Sequence, residues 1–597
     1  MCEVIDTMEP ARIIRMQVMS VKISKTLKRT NATLWWGIEA IVLLLSALAF
    51  WQASLTREGA VESMFPWQIA KLRGLLVISG AWLALVGVAI PVVYLFLNRA
   101  GGSGASDVPG RRWPRLPVLV LSLCVIGNIL AYGWLAYERH RRFNSTGYDL
   151  AIQEQVIWNT AHGRLFASSV EVENRFADHF QPLMLALVPL YALVPASQLL
   201  LGVQTVGLGI GALPVYRLAR RRLDSAELAL ALAVAYLLYP SIGFIQRFDF
   251  HLEALAVPAF LFAFDAFDRG ALRAASLWLL VPLLSKENLG FSVAAFGLYA
   301  ATFGRRVRFG LAWTGVGLAV SSATMFWLIP AVRHGPSDTL GRYAWLGETP
   351  IQMLWVLISR PGYVWRAVAN PDRALYLLQL LVPTGLLALV GLPEFLMAVP
   401  GLVINLLAAH HCQARIYCQY TVPIVPFVFI ATVSGLERLK HFLRCRRAWR
   451  IIGLAVVPLS ILALGIDNPF TEAQDVPAPL AQLPNAEAVC RALATVPPAL
   501  SVVTTNAYAP HLAQREGLYI IGIPAQRDPP ADPDVVFVNL YDQRFMVCDQ
   551  YRDYFSQLDV DRYGVIFRDS GVIVVLRDGG SNDGFRDFVF DWTDCAG

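Results

Sequence analysis

Long apolar runs constrain this chain more than any other feature of its sequence. A helix needs about 20 apolar residues to cross the hydrocarbon core of a bilayer. Hydrophobic residues make up 56% of the chain and charged residues only 16%, which is typical of a polytopic membrane protein. About thirteen runs approach the required length: 34–54, 74–97, 116–136, 183–216, 226–246, 252–268, 272–285, 288–303, 309–331, 374–392, 394–409, 420–436 and 450–466. The run 183–216 exceeds one crossing, and we interpret it as an interfacial or re-entrant piece followed by one span.

Five basic clusters between these runs predict the orientation. Lys and Arg accumulate in short cytoplasmic loops. All five clusters lie on the cytoplasmic side if the N-terminus is cytoplasmic and the chain crosses about thirteen times, which leaves the C-terminus extracytoplasmic. The net charge of +6 is explained by these clusters meeting anionic lipid, so no nucleic-acid partner is expected. The clusters are 12–29, 99–115, 217–222, 305–308 and 438–450.

Shifts in composition predict how the chain is divided. We expect an all-α membrane protein of about 13 transmembrane helices with a small extracytoplasmic α/β domain at its C-terminus. The first apolar run is expected to serve as an uncleaved anchor. The predicted parts are a cytoplasmic tail (1–33), a three-span entry section (34–137), an extracytoplasmic loop (138–182), the transmembrane core (183–466), a linker (467–478) and the α/β domain (479–597).

Strand-length apolar segments alternate with helical patterns from about residue 479. The segments LSVVTTN, LYIIGI, DVVFVNL, YGVIFRD and GVIVVL are typical of strands, and the turn signal Asp569–Ser570–Gly571 joins the last two. Helical patterns lie at 484–495, 507–515 and 543–557. Five cysteines fall on the predicted outer side, where disulfides can form, but their spacing does not select partners. They are Cys412, Cys418, Cys490, Cys548 and Cys595.

The stretch YDLAIQEQVIWNTAHGR, residues 148–164, is an amphipathic helical pattern directly after the third run. Asp149, Gln153 and Thr160 fall on one side of it, and Trp158 suits the headgroup level. The simplest interpretation is an interfacial helix whose polar residues are solvated. The alternative is one wall of a site at the outer face.

Three further polar segments favour the site. The predicted topology brings all of them to the level of Asp149, at the outer ends of different spans. Two of them have a structural alternative: the Lys286–Glu287 pair as an interfacial ion pair, and the acids around His251 as a capped helix start. In an extended segment, those acids and His251 would instead share a face and could bind a divalent cation. The polar residues concerned are Arg175, Asp178, His179, Asp249, His251, Glu253, Lys286 and Glu287.

Taken in order, these motifs resemble a known family. YDLAIQEQVIWNTAHGRLF, DHFQPLMLALVPLYAL, GALPVYRLARRRL, FDFHLEALAVP, SKENLGF, QYTVPIVP and NAYAPHLAQREGLY are similar to the bacterial membrane proteins called domain of unknown function 2079, over roughly residues 140–580. That family is usually grouped with the GT-C glycosyltransferases. The resemblance therefore implies a GT-C-like fold and transfer of a sugar from a polyprenyl-phosphate donor at the outer face.

The resemblance also implies roles for individual residues. Asp149 would activate the acceptor, and Asp178 and His179 match the second acidic position, so these three are the predicted catalytic residues. The predicted substrate-binding residues are Arg175, Asp249, His251, Glu253, Lys286, Glu287 and Asn159, with Lys286, His251 and Arg175 as the partners of the donor phosphate. Four residues depart from the family pattern, namely Gln153, Glu154, Leu252 and Asn288. The departure at Glu154 argues against a second catalytic carboxylate there.

The chemistry fits the residue types, because sugar transfer needs a base for the acceptor proton and positive charge for the leaving phosphate. The lipid bilayer, a polyprenyl-phosphate sugar and an unidentified acceptor are the expected partners. No cofactor is predicted apart from the alternative of a divalent cation. Two other functions stay open: a transporter or flippase for a lipid-linked or polar substrate, and a membrane-anchored sensor or scaffold. A transporter would favour internal repeats and charges near mid-span, and a sensor would leave the charges at the outer face without a role.

Overall fold

The described part of the chain begins after the first two of the three predicted entry spans. The computed structural model describes residues 115–443, 446–471, 478–521, 529–542 and 554–579. The described residues belong to one compact unit, except 446–448, which belong to a second unit. The predicted cytoplasmic tail and the predicted spans 34–54 and 74–97 lie outside the described residues.

Helices form most of the described chain. Two π-helical turns, Gly147–Ala151 and Thr324–Leu328, lead into α2 and α12. The helices are α1 (Arg115–Arg141), α2 (Ile152–Ala161), α3 (Val188–Leu193), α4 (Ser197–Ile210), α5 (Ala212–Leu223), α6 (Ala226–Leu237), α7 (Pro240–Arg247), α8 (Ala256–Asp268), α9 (Leu272–Ser285), α10 (Leu289–Thr302), α11 (Val307–Ala323), α12 (Ile329–Arg333), α13 (Asp338–Gly341), α14 (Pro350–Ser359), α15 (Pro361–Val368), α16 (Pro371–Leu381), α17 (Leu387–Val390), α18 (Leu392–Phe395), α19 (Val399–Leu407), α20 (Val425–Phe442), α21 (Arg446–Ile466) and α22 (Ala486–Thr495).

Within the described residues, four helical stretches are long and apolar enough to cross a membrane. They are Leu116–Arg141, Ser197–Leu223, Val307–Arg333 and Arg447–Ile466. The pair α6 and α7 would be a fifth, bent by 44° at the break before Pro240. Other predicted spans correspond to shorter apolar helices such as α9 and α10, so the predicted count of about 13 is not confirmed.

The span Ser197–Leu223 separates two polar ends of the molecule. At its C-terminal end, Arg221 pairs with Asp265 at 2.7 Å and Arg222 pairs with Asp268 at 2.8 Å. At its N-terminal end, Ser197 donates to Glu154 of α2. A helix of 27 residues is roughly 40 Å long. The basic cluster 217–222 and the polar motif of residues 148–164 therefore lie at opposite ends of one span, and which end faces the cytoplasm stays a prediction.

Glycines allow α10 and α11 to pack closely. A Cβ atom on Gly290 would come within 2.6 Å of the Gly317 carbonyl oxygen, and one on Gly297 within 2.6 Å of the Gly310 carbonyl oxygen. Small residues at such contacts let helix backbones approach inside a membrane, where dispersion replaces the hydrophobic effect as the attraction. The pairing fixes the start of α10, and with it the segment of Lys286 and Glu287.

The C-terminal region is a five-stranded mixed sheet, which confirms the five predicted strands. Its order is β2-β1-β3-β5-β4. The strands β2, β1 and β3 pair in parallel, and β5 is antiparallel to both of its neighbours, β3 and β4. The β4–β5 turn uses positive φ at Ser570 and Gly571, 48° and 79°, as a tight hairpin requires. The strands are β1 (Val502–Thr504), β2 (Leu518–Ile520), β3 (Val535–Asn539), β4 (Tyr563–Asp569) and β5 (Val572–Arg577).

The predicted helices of this domain are only partly present. The prediction for 484–495 is confirmed by α22, whereas 507–515 forms only the short 3₁₀ turn Ala509–His511. Pro510 lacks the backbone N–H that a longer helix would need. Most of 543–557 lies outside the described residues.

The α/β domain shares one hydrophobic core with the loop that precedes it by more than 300 residues. Leu150 and Ile152 are buried in the same cluster as Tyr508, Leu512 and Ile520. The predicted boundary near 479 therefore separates two segments that pack as a continuous body.

Glu154 ties three parts of this body together. Its carboxylate accepts from Tyr191 Oη at 2.9 Å, from Gln514 Nε2 at 3.0 Å and from the Ser197 hydroxyl. The side chain is buried, and burial raises its pKa, which the three donors partly offset. Its role is therefore to join α2 to α3, α4 and the α/β domain.

We expect Glu154→Ala to lower the free energy of unfolding by about 2–3 kcal/mol, because it leaves several donors without an acceptor. The thermal midpoint of detergent-purified protein measures the effect. Glu516→Ala is the control, because its carboxylate is 69% exposed and its ion pair with Arg164 is worth little. Equal midpoints for the two variants would contradict the role of Glu154.

Candidate functional site

A polar cavity of about 290 Å³ lies where the motif segments meet. It is lined by residues from six stretches that are distant from one another in the sequence. The lining consists of Tyr148, Asp149, Gln153, Glu171, Arg175, Asp178, His179, Phe248, His251, Glu253, Lys286, Arg342, His410, His411, Cys412, Gln419 and Tyr420.

The turn Gly147–Ala151 brings Asp149 to this cavity. Asp149 Oδ1 lies 3.0 Å from His251 Nε2, and its Oδ2 accepts from Thr146 Oγ1 at 3.1 Å. The turn is π-helical, a geometry that is rare and frequent at functional sites. Asp149 and His251 thus form a carboxylate–imidazole pair that joins two segments 102 residues apart.

Hydrogen bonds define the protonation of this pair. His251 Nδ1 lies 2.9 Å from the Asp249 carbonyl oxygen, which can only accept, so Nδ1 carries a proton. Burial lowers the pKa of His251, but Asp149 outweighs burial and raises it overall. Burial raises the pKa of Asp149, but His251 and Thr146 outweigh burial and lower it overall. Each partner therefore favours the charged form of the other.

Asp249 stands behind the pair and does not line the cavity. Its carboxylate is fully buried and forms an ion pair with Arg139 at the end of α1. It also accepts from the backbone N–H and the hydroxyl of Thr146, both at 2.8 Å. Asp249 therefore fixes the position of the turn that carries Asp149.

A second group of acids surrounds Arg175. Arg175 Nη1 lies 2.9 Å from Asp178 Oδ2 and 3.6 Å from Glu171 Oε2. Burial raises the pKa of Asp178, but His179 and Arg175 outweigh burial and lower it overall. Burial and the nearby Asp178 charge raise the pKa of Glu171 to about 7. Glu171 is the acid of this cavity that titrates near neutral pH.

The neighbours Lys286 and Glu287 pair with different partners, so they do not form the interfacial ion pair that was the structural alternative for them. Lys286 Nζ donates to Glu253 Oε1 at 2.6 Å. Glu287 Oε1 lies 3.0 Å from His179 Nδ1, and its Oε2 accepts from the backbone N–H of Phe180 at 3.1 Å. The cause is the extended backbone of Lys286, φ −167° and ψ 143°, which sends adjacent side chains in opposite directions.

Arg342 is a cavity residue that the sequence reasoning missed. Its guanidinium donates to Gln413 Oε1 at 3.2 Å and to Tyr420 Oη at 3.1 Å, and lies 5.5 Å from the Tyr420 ring centroid. Lys286 Nζ lies 5.9 Å from the same ring. In the described part of the chain, Arg342 has no carboxylate partner, unlike Arg175 and Lys286. Its charge is therefore available for an anionic ligand.

A disulfide braces this edge of the cavity. Cys412 and Cys418 are bonded, with Cα atoms 6.1 Å apart. They enclose the loop that follows α19 and carries Gln413, the partner of Arg342. Among the other predicted candidates, Cys490 is exposed and has a free thiol, and Cys548 and Cys595 lie outside the described residues.

Several buried polar atoms around the cavity have no hydrogen-bond partner among the residues that the structure describes. They are Tyr148 Oη, Gln153 Oε1, Glu253 Oε2 and His410 Nδ1. Such atoms are costly to bury, and the great majority in folded proteins are satisfied. Both donors and acceptors are among them, so the cavity is suited to a ligand that carries hydroxyl groups.

The structure brings most of the predicted site residues together. Asp149, Arg175, Asp178, His179, His251, Glu253 and Lys286 line the cavity. Asp249 and Glu287 lie behind it as partners of these residues. Asn159 is not part of it: its buried amide donates to the Ala167 carbonyl oxygen at 3.0 Å. The reasoning missed Glu171, Arg342 and Tyr420. The motif QYTVPIVP contains Tyr420, but no pattern marked Arg342.

Metal binding was an alternative for the acids around His251. Over the ranges that the structure describes, no group of three or more His, Cys, Asp or Glu side chains is arranged to hold a metal ion. Asp249, His251 and Glu253 instead have separate partners: Arg139, Asp149 and Lys286.

A family model described as "Predicted membrane protein (DUF2079)" matches residues 139–574. No curated protein matches the chain. The match covers the cavity, the motif segments and almost all of the described sheet.

Solved structures with a weak likeness include two of ArnT from Cupriavidus metallidurans, one bound to undecaprenyl phosphate and one in the apo state. They have 14% sequence identity and TM-scores of 0.46 and 0.44, and each match covers 78% of this chain and 99% of ArnT. The apo Archaeoglobus fulgidus oligosaccharyltransferase has 12% identity and a TM-score of 0.34, over 77% of this chain and 74% of that chain. At TM-scores below 0.5, the likeness does not identify the fold or activity of this chain.

We expect Glu171→Gln to stabilise the protein progressively as the pH rises from 5 to 8. A raised native pKa means that the stability from the bound proton is present at low pH and is lost as the pH passes through about 7. At pH 8 the variant avoids a buried charge beside Asp178 and gains on the order of 2 kcal/mol.

The thermal midpoint at several pH values measures this difference. Glu173→Gln is the matched control, because its side chain is exposed two residues further on. A difference between Glu171→Gln and wild type that stays constant with pH would contradict the titration.

Proposed function

We propose that this chain, which belongs to the membrane protein family DUF2079, is a GT-C-type glycosyltransferase. It transfers a sugar from a polyprenyl-phosphate donor to an acceptor at the outer face of the membrane. The observation that carries the proposal is one cavity that combines the Asp149–His251 pair, in which His251 is buried and Asp149 is partly exposed, with the uncompensated charge of Arg342. A base and an anion-binding group are what this reaction requires.

Asp149 is the proposed base. It takes the proton of the acceptor hydroxyl while the acceptor oxygen forms a bond to the anomeric carbon of the sugar. The bond from that carbon to the phosphate oxygen breaks, and the lipid phosphate leaves with the electron pair. The lowered pKa keeps Asp149 ionised before the reaction, and His251 holds it in place.

Arg342 is the proposed principal ligand of the donor phosphate. Lys286 lies on the same Tyr420 ring and already neutralises Glu253, so its charge is only partly available. A guanidinium can form two parallel hydrogen bonds to a phosphate. Tyr148, Phe248 and Tyr420 supply aromatic surface against which a sugar ring can pack.

The position of the cavity fits a lipid-linked donor. Its residues lie at the end of the span Ser197–Leu223 that is opposite to the basic cluster 217–222. A phosphate whose lipid tail is in the bilayer lies at such a boundary, and charged groups there cost less than at the membrane centre.

We expect Asp149→Asn to lower the rate of sugar transfer by about 10²–10⁴-fold, because the amide cannot take the acceptor proton. The assay uses labelled polyprenyl-phosphate sugars and reconstituted protein. Asp224→Asn is the control, since that carboxylate is 84% exposed at the opposite end of the span. A wild-type rate for Asp149→Asn would remove Asp149 as the base.

We expect Arg342→Gln to weaken binding of undecaprenyl phosphate by about 10- to 100-fold, the range for loss of a charge-assisted hydrogen bond. Binding of the uncharged polyprenol should not change. Arg342→Lys should retain part of the affinity.

The control for this experiment is Arg360→Gln, an exposed arginine in the same outer region. Equal losses for Arg342→Gln and Arg360→Gln would indicate general attraction to the anionic lipid. An unchanged affinity for Arg342→Gln would exclude it as the phosphate ligand.

A further inference from the structure

The carboxyl ends of the inner strands in the α/β domain form the kind of site at which open α/β sheets bind ligands. The chain leaves β1 toward β2 on one side, and it leaves β3 on the other side toward β4, which lies beyond β5. The carboxyl ends of β1 and β3 therefore form a topological switch point, the usual binding crevice of such sheets. In this chain, a segment from the membrane part approaches that crevice.

The motif NAYAPHLAQREGLY begins just after the carboxyl end of β1. Tyr508 Oη donates to Asp542 at 2.6 Å and accepts from Asn539 Nδ2 at 2.7 Å, so it bridges β1 to the end of β3. Phe143, just after α1, packs on the Tyr508 ring at 5.7 Å. The switch point thus faces residues 143–148, next to Asp149.

Asn506 makes the polar contact between the two parts. Its Oδ1 accepts from the backbone N–H of Gly147 at 2.7 Å and of Tyr148 at 3.2 Å. The Gly147 N–H also lies 2.7 Å from the Asn506 carbonyl oxygen. These amides are the first two of the turn Gly147–Ala151, which lack partners within the helix.

Thr146 occupies the N-cap position but does not cap the turn. Its hydroxyl is directed to Asp249 and Asp149, and its side chain makes no capping hydrogen bond. An Asn side chain that accepts from the first N–H groups is a typical cap. Asn506 supplies that cap from a residue 359 positions away.

Gly147 permits this close approach. A Cβ atom there would come within 2.9 Å of Ala509 Cβ and closer still to Ile520 Cδ1. The α/β domain is therefore in direct contact with the backbone two residues before Asp149.

We propose that the α/β domain is a positioning element of the membrane-boundary site, in which Asn506 caps the turn that presents Asp149 to the acceptor. The catalytic part of this inference rests on the function proposed above. The structural part, that Asn506 orders the turn, does not.

The first experiment measures hydrogen exchange in peptides that cover residues 145–152 of the full-length protein in detergent. Asn506→Ala should accelerate exchange there by at least about 10-fold, because the Tyr148 amide loses its acceptor and the Gly147 amide keeps only the backbone carbonyl oxygen of residue 506. Asn506→Asp keeps an acceptor oxygen and should stay close to wild type. Unchanged exchange in Asn506→Ala overturns the proposal, whether or not the protein transfers sugar.

The second experiment measures sugar transfer by the same variants. Asn506→Ala should lower kcat by about 10- to 100-fold, because small displacements of a catalytic group cost that much. KM for the donor should change less than about twofold, since Arg342 is held by Gln413 and Tyr420 and not by the turn. The acid limb of the pH profile should shift upward as Asp149 loses its His251 contact.

Gln514→Ala is the matched control. Gln514 belongs to the same motif and donates to Glu154 and Pro195, but does not touch the turn. It should leave exchange at 145–152 and the pH profile unchanged. Faster exchange in Asn506→Ala with an unchanged kcat would show a docking contact only and overturn the positioning role. A wild-type protein without transferase activity would instead refute the proposed function, and the exchange comparison would still decide whether Asn506 orders the turn.

Discussion

The buried carboxylate of Asp249 is the contact on which the arrangement of the site depends. It joins Arg139 at the end of α1, the backbone and hydroxyl of Thr146, and the segment that leads to His251. A buried charge is stable only when it is paired and hydrogen-bonded. Loss of any of these partners would leave Asp249 uncompensated, so the segments are held in one geometry. That geometry brings Asp149 and His251 within 3.0 Å of each other.

The remaining charges of the cavity follow the same constraint. Glu253 pairs with Lys286 and Glu287 pairs with His179, in each case across two segments, whereas Asp178 pairs with Arg175 three residues earlier in its own segment. Burial of such pairs contributes little net stability, since desolvation offsets the attraction. Their effect is specificity, because only one arrangement of the segments satisfies all of them. In this network Arg342 and the partly protonated Glu171 are the groups left to respond to a ligand or to pH.

The sequence was sufficient to predict which segments converge, but not how their side chains pair. Apolar runs and basic clusters place Asp149, Asp178, His251 and Lys286 at one end of the helices, because each follows or precedes a span. Pairing depends on local backbone direction, and the extended residue Lys286 separates two side chains that adjacent letters suggest as partners. Asn159 was predicted in the site but does not line the cavity, for a related reason. The direction of its side chain depends on its place on α2, where its amide donates to the Ala167 carbonyl oxygen.

Arg342 had no signal of its own, because a single arginine in a long loop acquires a role only when the fold brings Tyr420 next to it. The number of membrane-spanning helices also could not be predicted from the sequence. Short helices such as α9 and α10 are apolar enough to be taken for crossings, and only their packing decides how deep they lie.

A site at a membrane boundary has a particular need for an external domain. Helix ends in water are satisfied by solvent, whereas ends near hydrocarbon need protein partners for their free N–H and C=O groups. The turn Gly147–Ala151 begins at such a place, and its own N-cap residue is committed to holding Asp249 and Asp149. Asn506 provides the missing acceptor, and Leu512 and Ile520 bury the apolar face of the same segment. The α/β domain therefore takes the place of water as the hydrogen-bond partner of the first N–H groups of the turn. The backbone beside Asp149 is ordered in this way, while the proposed site stays open to a polar substrate.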